Sequence, residues 1–248
     1  MLTSQTIVDT ASHMQVLLTP DQGEQFVTYA ARLVEWNQKI NLTAITDDHG
    51  ILIRHIADSL SLLMPIPALN KLASAASTPV RLQVMDVGTG AGFPGLALKI
   101  ARPDLVMTLI DGTGKKITFC QAIIDELRLT GIRALQARAD DLAHDPKHRE
   151  QYDLVTARAV APLSTLVEYL LPFCRIGGSC VALKGADAAA EVATARNAIR
   201  QLGSAPQITC PIQLPGVPDQ RALIVMHKVE STRARFPRTG GAPRNAPL

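Results

Sequence analysis

The fold is decided by residues 86–95, Asp-Val-Gly-Thr-Gly-Ala-Gly-Phe-Pro-Gly, which follow the apolar segment 81–85, Arg-Leu-Gln-Val-Met. Glycines at 88, 90 and 92 let the chain turn sharply and bring its backbone close to a ligand. Pro94 suits the first position of a helix, because its missing N–H would be unpaired there. A strand, a glycine turn and a helix in this order predict a ligand site at the carboxyl edge of a parallel sheet.

The chain after this turn alternates between apolar strands and helical patterns. This alternation predicts an α/β fold with a mostly parallel sheet covered by helices on both faces. We expect the last strand to join antiparallel at an edge. Strands are predicted at 81–87, 105–111, 132–137, 152–157, 179–184 and 221–229, and helices at 94–101, 115–129, 163–174 and 186–202.

The N-terminal part has a helical pattern instead. Thr19 is a candidate N-cap followed by Pro20, and a second helix is predicted from Asp47 or Asp48 to Pro65. Residues 73–78, Ala-Ser-Ala-Ala-Ser-Thr, have the composition of a linker. We therefore divide the chain into a helical region with its linker (1–78), a ligand-binding domain (79–230) and a C-terminal tail (231–248).

The amino-acid composition is typical of a globular protein and argues against a membrane or secreted protein. Hydrophobic residues make up 47% of the 248 residues and charged residues 19%, as in a globular protein with a sizeable core. We expect no membrane span and no signal peptide. The cysteines show no zinc spacing, so we expect no metal site, and free thiols favour a cytoplasmic protein. They are Cys120, Cys174, Cys180 and Cys210.

The charge is unevenly distributed. The formal net charge is only +3, yet the segment from Ser231 onward holds four arginines and no acid. This tail is either a solvated, disordered terminus or an arm that contacts a phosphate backbone. The arginines are Arg233, Arg235, Arg238 and Arg244.

The glycine spacing and the acids around it indicate the ligand. A dinucleotide site would have a third glycine where Phe93 stands, and Asp86 before the turn would repel a pyrophosphate but suit a cationic ligand. Asp111 ends the second strand, where a carboxylate can accept hydrogen bonds from a ribose, and Asp140 follows the third strand, where it could contact an adenine. Together these features favour S-adenosylmethionine, with its ammonium and sulfonium groups.

Further short motifs are distributed over nearly the whole chain. They are Trp36-Asn37, 41–45 (Asn-Leu-Thr-Ala-Ile), Arg54-His55-Ile56, Asp58-Ser59-Leu60, the turn 86–95, Arg138-Ala139-Asp140, 157–160 (Ala-Arg-Ala-Val), Leu183-Lys184-Gly185 and 235–238 (Arg-Phe-Pro-Arg). With these motifs the chain resembles the rRNA small-subunit methyltransferase G family, also called glucose-inhibited division protein B.

The resemblance implies a Rossmann-like class I methyltransferase that methylates N7 of one specific guanine in 16S rRNA, in the small ribosomal subunit or its precursor. Arg158 would contact the donor or the RNA, and Lys184 would meet a phosphate or the guanine O6, which makes both candidate catalytic residues. One departure is Gly112, where the family usually has Ser. The candidate cofactor contacts are Gly88, Gly90, Phe93, Asp111, Ala139, Asp140 and Arg158, and the candidate RNA contacts are Lys115, Lys116, Arg235, Arg238 and Arg244.

The residues alone leave other functions open. The chain could methylate a small molecule or a protein, or bind the cofactor without catalysis. Cys210-Pro211 falls in a late connecting segment, which argues against cytosine C5 methylation. His55 and Asp58 share a helical face and could either pack the helical region on the main domain or contact RNA. We expect a monomer.

Overall fold

The computed structural model describes residues 2–69, 81–218 and 220–248. The predicted linker at 73–78 lies outside these residues. Seven strands in the described ranges form one sheet in the order β3-β2-β1-β4-β5-β7-β6. The strands are β1 (Gln83–Val87), β2 (Val106–Asp111), β3 (Ile132–Gln136), β4 (Tyr152–Arg158), β5 (Cys174–Lys184), β6 (Ile208–Ile212) and β7 (Arg221–His227).

Strands β1 to β5 run parallel, and β7 pairs antiparallel with both β5 and β6. The α/β prediction is thereby confirmed, as is the antiparallel last strand. Its predicted edge position is wrong, because β6 lies outside it. Cys210-Pro211 belongs to β6 and not to a connecting segment.

Helices lie between the strands in most of the predicted places. The predicted helix 163–174 is wrong beyond Leu170, since β5 already begins at Cys174. These helices are α4 (Gly95–Ala101), α5 (Gly114–Glu126), α6 (Ala139–Leu142), α7 (Leu163–Leu170) and α8 (Ala188–Gln201), and a short α9 (Ala242–Asn245) lies in the tail.

The N-terminal region is helical, as predicted. It contains α1 (Ser4–His13), for which no separate bounds were predicted, and α2 (Pro20–Asn37). The predicted N-cap of α2 is confirmed: the Thr19 side chain accepts from the Gln22 backbone N–H, and the Gln22 side chain accepts in return. A third helical segment, α3 (48–63), begins after Asp47 and includes a π-helical stretch, Ile51–Ala57. Such stretches are often found at functional sites.

Alternating side chains of each strand divide the core into two layers. Val84 packs with the N-terminal helices and with α4 and α5. Its neighbour Met85 packs on the other face with α7 and α8, and Phe236 from the tail joins that layer. The N-terminal helices and the tail therefore cover opposite faces of one sheet.

Candidate active site

The turn between β1 and α4 contains three glycines in the left-handed region, Gly88 (φ 69°), Gly90 (φ 59°) and Gly92 (φ 93°). Other residues adopt this region at a cost of about 1 kcal/mol or more each. A Cβ on Gly88 would lie 2.6 Å from Cγ2 of Val160, whereas one on Gly90 would meet no atom closer than 3.9 Å. The turn is thus closely covered at Gly88 and open at Gly90.

A first cavity of about 340 Å³ lies at the carboxyl ends of β1 to β4. It brings together four of the predicted cofactor residues, Gly88, Asp111, Ala139 and Asp140. Its volume is in the range of small-molecule sites. The other lining residues are Val87, Ile110, Gly112, Lys116, Ala137, Arg138, Ala159, Val160 and Tyr169.

Both carboxylates of this cavity are fixed by hydrogen bonds. Asp111 accepts from the backbone N–H groups of Gly90 (3.0 Å) and Thr113 (2.8 Å), one on each oxygen. Asp140 is buried and accepts from the Arg138 guanidinium at 2.8 Å. Because a carboxylate oxygen has two lone pairs, each group keeps the capacity to accept from a hydroxyl or an amine.

A second cavity of about 530 Å³ adjoins the first and shares Gly88, Lys116 and Ala159 with it. The N-terminal region supplies one wall, and the strands supply the other. The predicted residues Gly90, Phe93, Arg158 and Lys184 line this second cavity, together with Thr43, Arg54, His55, Asp58, Gly185, Glu191 and Arg221 among others.

Asp86, the acid before the turn, lines neither cavity. One oxygen accepts from the Thr89 hydroxyl (2.6 Å) and from the Gly95 backbone N–H (2.9 Å), and the other has no partner among the described residues. Complete burial raises the pKa of this carboxyl from 3.8 to about 6. The carboxylate thus holds the turn from inside the domain. The prediction that its charge suits a cationic ligand stays a prediction.

Arg158 joins the sheet to the N-terminal region. Its guanidinium donates to the carbonyl oxygen of Arg54 (2.6 Å), to Asp58 (3.3 Å) and to Nδ1 of His55 (3.1 Å), and it lies 5.2 Å from the centre of the Phe93 ring. His55 and Asp58 therefore pack the helical region on the main domain. The predicted donor or RNA contact of Arg158 stays a prediction.

Phe93 lies between two other rings. Its ring centre is 4.8 Å from that of Tyr29 and 4.7 Å from that of His55, with interplanar angles of 21° and 18°. Of this buried stack, Phe93 and His55 line the second cavity. The predicted cofactor contact of Phe93 stays a prediction, and its ring does not line the first cavity.

Lys184 is held at the end of β5 by protein acceptors. Its ammonium donates to the carbonyl oxygen of Ala161 and to Glu191, both at 2.7 Å, and the same Glu191 oxygen accepts from the Leu163 backbone N–H at 2.6 Å. Two of its three N–H bonds are thereby used to hold the loop after β4. A direct contact with phosphate or with guanine O6 stays a prediction.

The tail is packed on the domain and is not a solvated terminus. Arg149 donates to backbone carbonyls of Thr232 and Phe236, and Phe236 is buried. Arg238 makes a bidentate pair with Glu168, which is fully buried. Of the five candidate RNA contacts, Lys115, Arg235 and Arg244 are exposed, Lys116 is partly buried beside both cavities, and Arg238 has this structural partner.

Arg221 was missed by the sequence analysis. It begins β7 and lines the second cavity, and within the described ranges its buried Nε atom has no hydrogen-bond partner. The available signal was topological: a strand antiparallel to β5 begins at the edge where β5 ends, so its first side chain lies near the site. Thr43 was quoted only as part of a motif.

Among the residues that the structure describes, no group of three or more His, Cys, Asp or Glu side chains is arranged to hold a metal ion. No helix in these ranges is long and apolar enough to cross a membrane.

Comparisons with known proteins identify the family of the chain. A family model described as "GidB: rRNA small subunit methyltransferase G" matches residues 22–213. The proteins of that name from Roseiflexus sp. (strain RS-1) and Roseiflexus castenholzii are 46% identical over 242 residues and 48% identical over 227 residues. These alignments cover 98% and 92% of both chains, respectively.

Solved structures support the fold alone. A putative S-adenosyl-L-methionine-dependent methyltransferase from Methanococcus maripaludis aligns with a TM-score of 0.53 and 15% identity, over 82% of this chain and 94% of that chain. A protein from Corynebacterium glutamicum aligns with a TM-score of 0.53 and 21% identity, over 83% and 92%. The sheet order, the glycine turn and the near full-length sequence matches together lead to one conclusion: the chain belongs to the rRNA small subunit methyltransferase G family.

Proposed function

We propose that the chain transfers a methyl group from S-adenosylmethionine to N7 of one guanine in 16S rRNA, within the small ribosomal subunit or its precursor. The observation that carries this proposal is the pair of cavities that meet at Gly88. One cavity suits a nucleoside cofactor, and the other is open to a base delivered from outside. We also expect the protein to act as a monomer in the cytoplasm.

The first cavity fits the donor by its chemistry. Asp111 keeps lone pairs for the ribose hydroxyls, and Asp140, next to the backbone of Ala139, keeps lone pairs for the adenine amine. Gly90, on the side of the second cavity, leaves the turn open to close approach. When bound, the donor supplies a sulfonium methyl group, which the N7 lone pair takes as the C–S electron pair returns to sulfur.

The residues around the second cavity position the base and need not move a proton. Guanine N7 has a lone pair and no hydrogen, so no general base is required. Catalysis then depends on proximity and orientation. The Phe93 stack and the Arg158 contacts make one wall rigid, while Lys184 and Glu191 hold the loop on the opposite side.

RNA would be bound mainly through phosphates, with the target base turned out of its loop. The groups available for this are the exposed Arg235 and Arg244 in the tail, Lys116 beside both cavities, and Arg221, whose Nε atom has no hydrogen-bond partner among the described residues. Arg238 contributes by holding the tail in place through Glu168.

The direct experiment uses small subunits from a strain that lacks this activity. They are incubated with the protein and a donor carrying a deuterated methyl group, and the RNA is digested and mapped by mass spectrometry. We expect one labelled guanine, cleavable by aniline after borohydride reduction, as N7-methylated guanine is. A matched Asp111→Ala protein should give little label. No label on 16S rRNA, or label on an exocyclic amine, would contradict the proposal.

A further inference from the structure

A chain of two hydrogen bonds, from Arg158 through His55 to Thr43, runs along one wall of the second cavity, and its direction is fixed. The Arg158 guanidinium lies 3.1 Å from Nδ1 of His55, and an arginine can only donate. Nδ1 must therefore accept, so the single proton of the neutral imidazole is on Nε2. That atom lies 2.8 Å from the Thr43 hydroxyl oxygen, to which it donates.

The Thr43 oxygen has a second donor. The backbone N–H of Ile45 donates to it at 3.0 Å, so both of its lone pairs are used. Only the hydroxyl proton remains, and no described residue provides an acceptor for it. Thr43 lines the second cavity. The hydroxyl is therefore a donor for whatever occupies that cavity.

His55 keeps this direction at physiological pH. Burial, followed by the nearby Arg158 charge, lowers the pKa of His55 from 6.5 to about 4, so the ring is neutral. A second ring proton would place two donors against each other at Nδ1. The ring is also held by its stack on Phe93, which restricts rotation.

We infer that the Thr43 hydroxyl donates a hydrogen bond to O6 of the target guanine and thereby selects guanine. This inference rests on the proposed function. The edge of guanine that carries N7 presents two acceptors, N7 and O6, whereas adenine presents a donor beside its N7. A donor directed at O6 leaves the N7 lone pair free to react and repels the adenine amine. Thr43 is the specificity-determining residue, and His55 and Arg158 are positioning residues that act through it.

The test uses subunits in which the target guanine is replaced by 2-aminopurine, which keeps N7 but lacks O6. The wild-type protein should methylate guanine about tenfold faster than 2-aminopurine, the effect of losing one hydrogen bond. Thr43→Val should slow methylation of guanine by about the same factor and leave the rate on 2-aminopurine unchanged. Thr43→Ser, which keeps the hydroxyl, should restore the preference.

Two results would overturn the inference. A Thr43→Val protein that binds the donor normally and keeps the wild-type ratio between the two bases would show that the hydroxyl does not read O6. If that variant does not fold, equal wild-type rates on the two bases would be just as decisive. Absence of N7 methylation by the wild-type protein on unmodified subunits would instead overturn the proposed function.

Discussion

Replacing Arg238 by Ala separates a structural role of the tail from an RNA-binding role. Glu168 is completely buried in α7, and its carboxylate accepts from the Arg238 backbone N–H (2.7 Å) and from guanidinium nitrogens at 3.0 and 2.7 Å. Removal of the guanidinium leaves a buried charge without its counter-ion. Such losses cost about 3–5 kcal/mol, which lowers the melting temperature of a chain of this size by roughly 10 °C.

The assay is thermal and denaturant unfolding of the variant, alongside donor affinity. Arg244→Ala is the matched control, because Arg244 is exposed in the same tail and its loss should change stability by less than about 0.5 kcal/mol. A double variant, Arg238→Met with Glu168→Leu, should recover most of the loss, since no buried charge remains. An Arg238→Ala protein as stable as the wild type, but weak on RNA, would refute this reasoning.

Three further outcomes follow from the site. Gly88→Ala should weaken donor binding more than about tenfold, because the new Cβ meets Val160 at a residue with a left-handed φ. Gly112→Ala, in the same cavity, should change the affinity less than about threefold. Equal affinities of the two variants in calorimetry would contradict the assignment of this cavity to the donor. Arg221→Gln should lower the slope of log binding constant against log salt concentration, for binding to the small subunit, by about one phosphate contact, and it should leave the donor affinity unchanged. An unaltered slope would show that Arg221 does not contact RNA. The pKa of His55 is lowered from 6.5 to about 4, so between these pH values His55 is protonated in the unfolded chain and neutral in the folded chain. About 3 kcal/mol of folding stability is therefore lost as the pH falls from 6.5 to about 4. The pKa of Asp86 is raised from 3.8 to about 6, so this group makes the folded protein more stable as the pH falls, by a similar amount. In Asp86→Asn this gain is removed, and the loss of stability at acid pH that His55 causes should become visible. Unfolding free energies of Asp86→Asn that run parallel to those of the wild type between about pH 6 and 4 would contradict this.

Short-range patterns explain why most of the fold was predictable. The strands β1 to β5 are apolar segments next to turns, and the capping of α2 is encoded in four residues, from Thr19 to Gln22. Strand β6 was missed because it is an edge strand with mostly exposed side chains and a proline at 211, so it lacks a buried pattern.

The position of a residue in the first cavity was predictable where it depends on a strand end, as with Asp111 and Asp140. It was not predictable where the role depends on a distant partner. Arg158 bonds Asp58, which is 100 residues away, and Arg238 bonds Glu168, which is 70 residues away. An unpaired arginine and a paired one look the same in a sequence, because only the fold determines which acid faces them.

A crystal structure with S-adenosylhomocysteine would show whether the first cavity holds the donor. We predict density for the nucleoside in the first cavity, with the ribose on Asp111, the adenine beside Asp140 and the sulfur near Gly88, where the two cavities meet. Density for the nucleoside in the second cavity, or a first cavity left unoccupied at saturating ligand, would contradict this prediction.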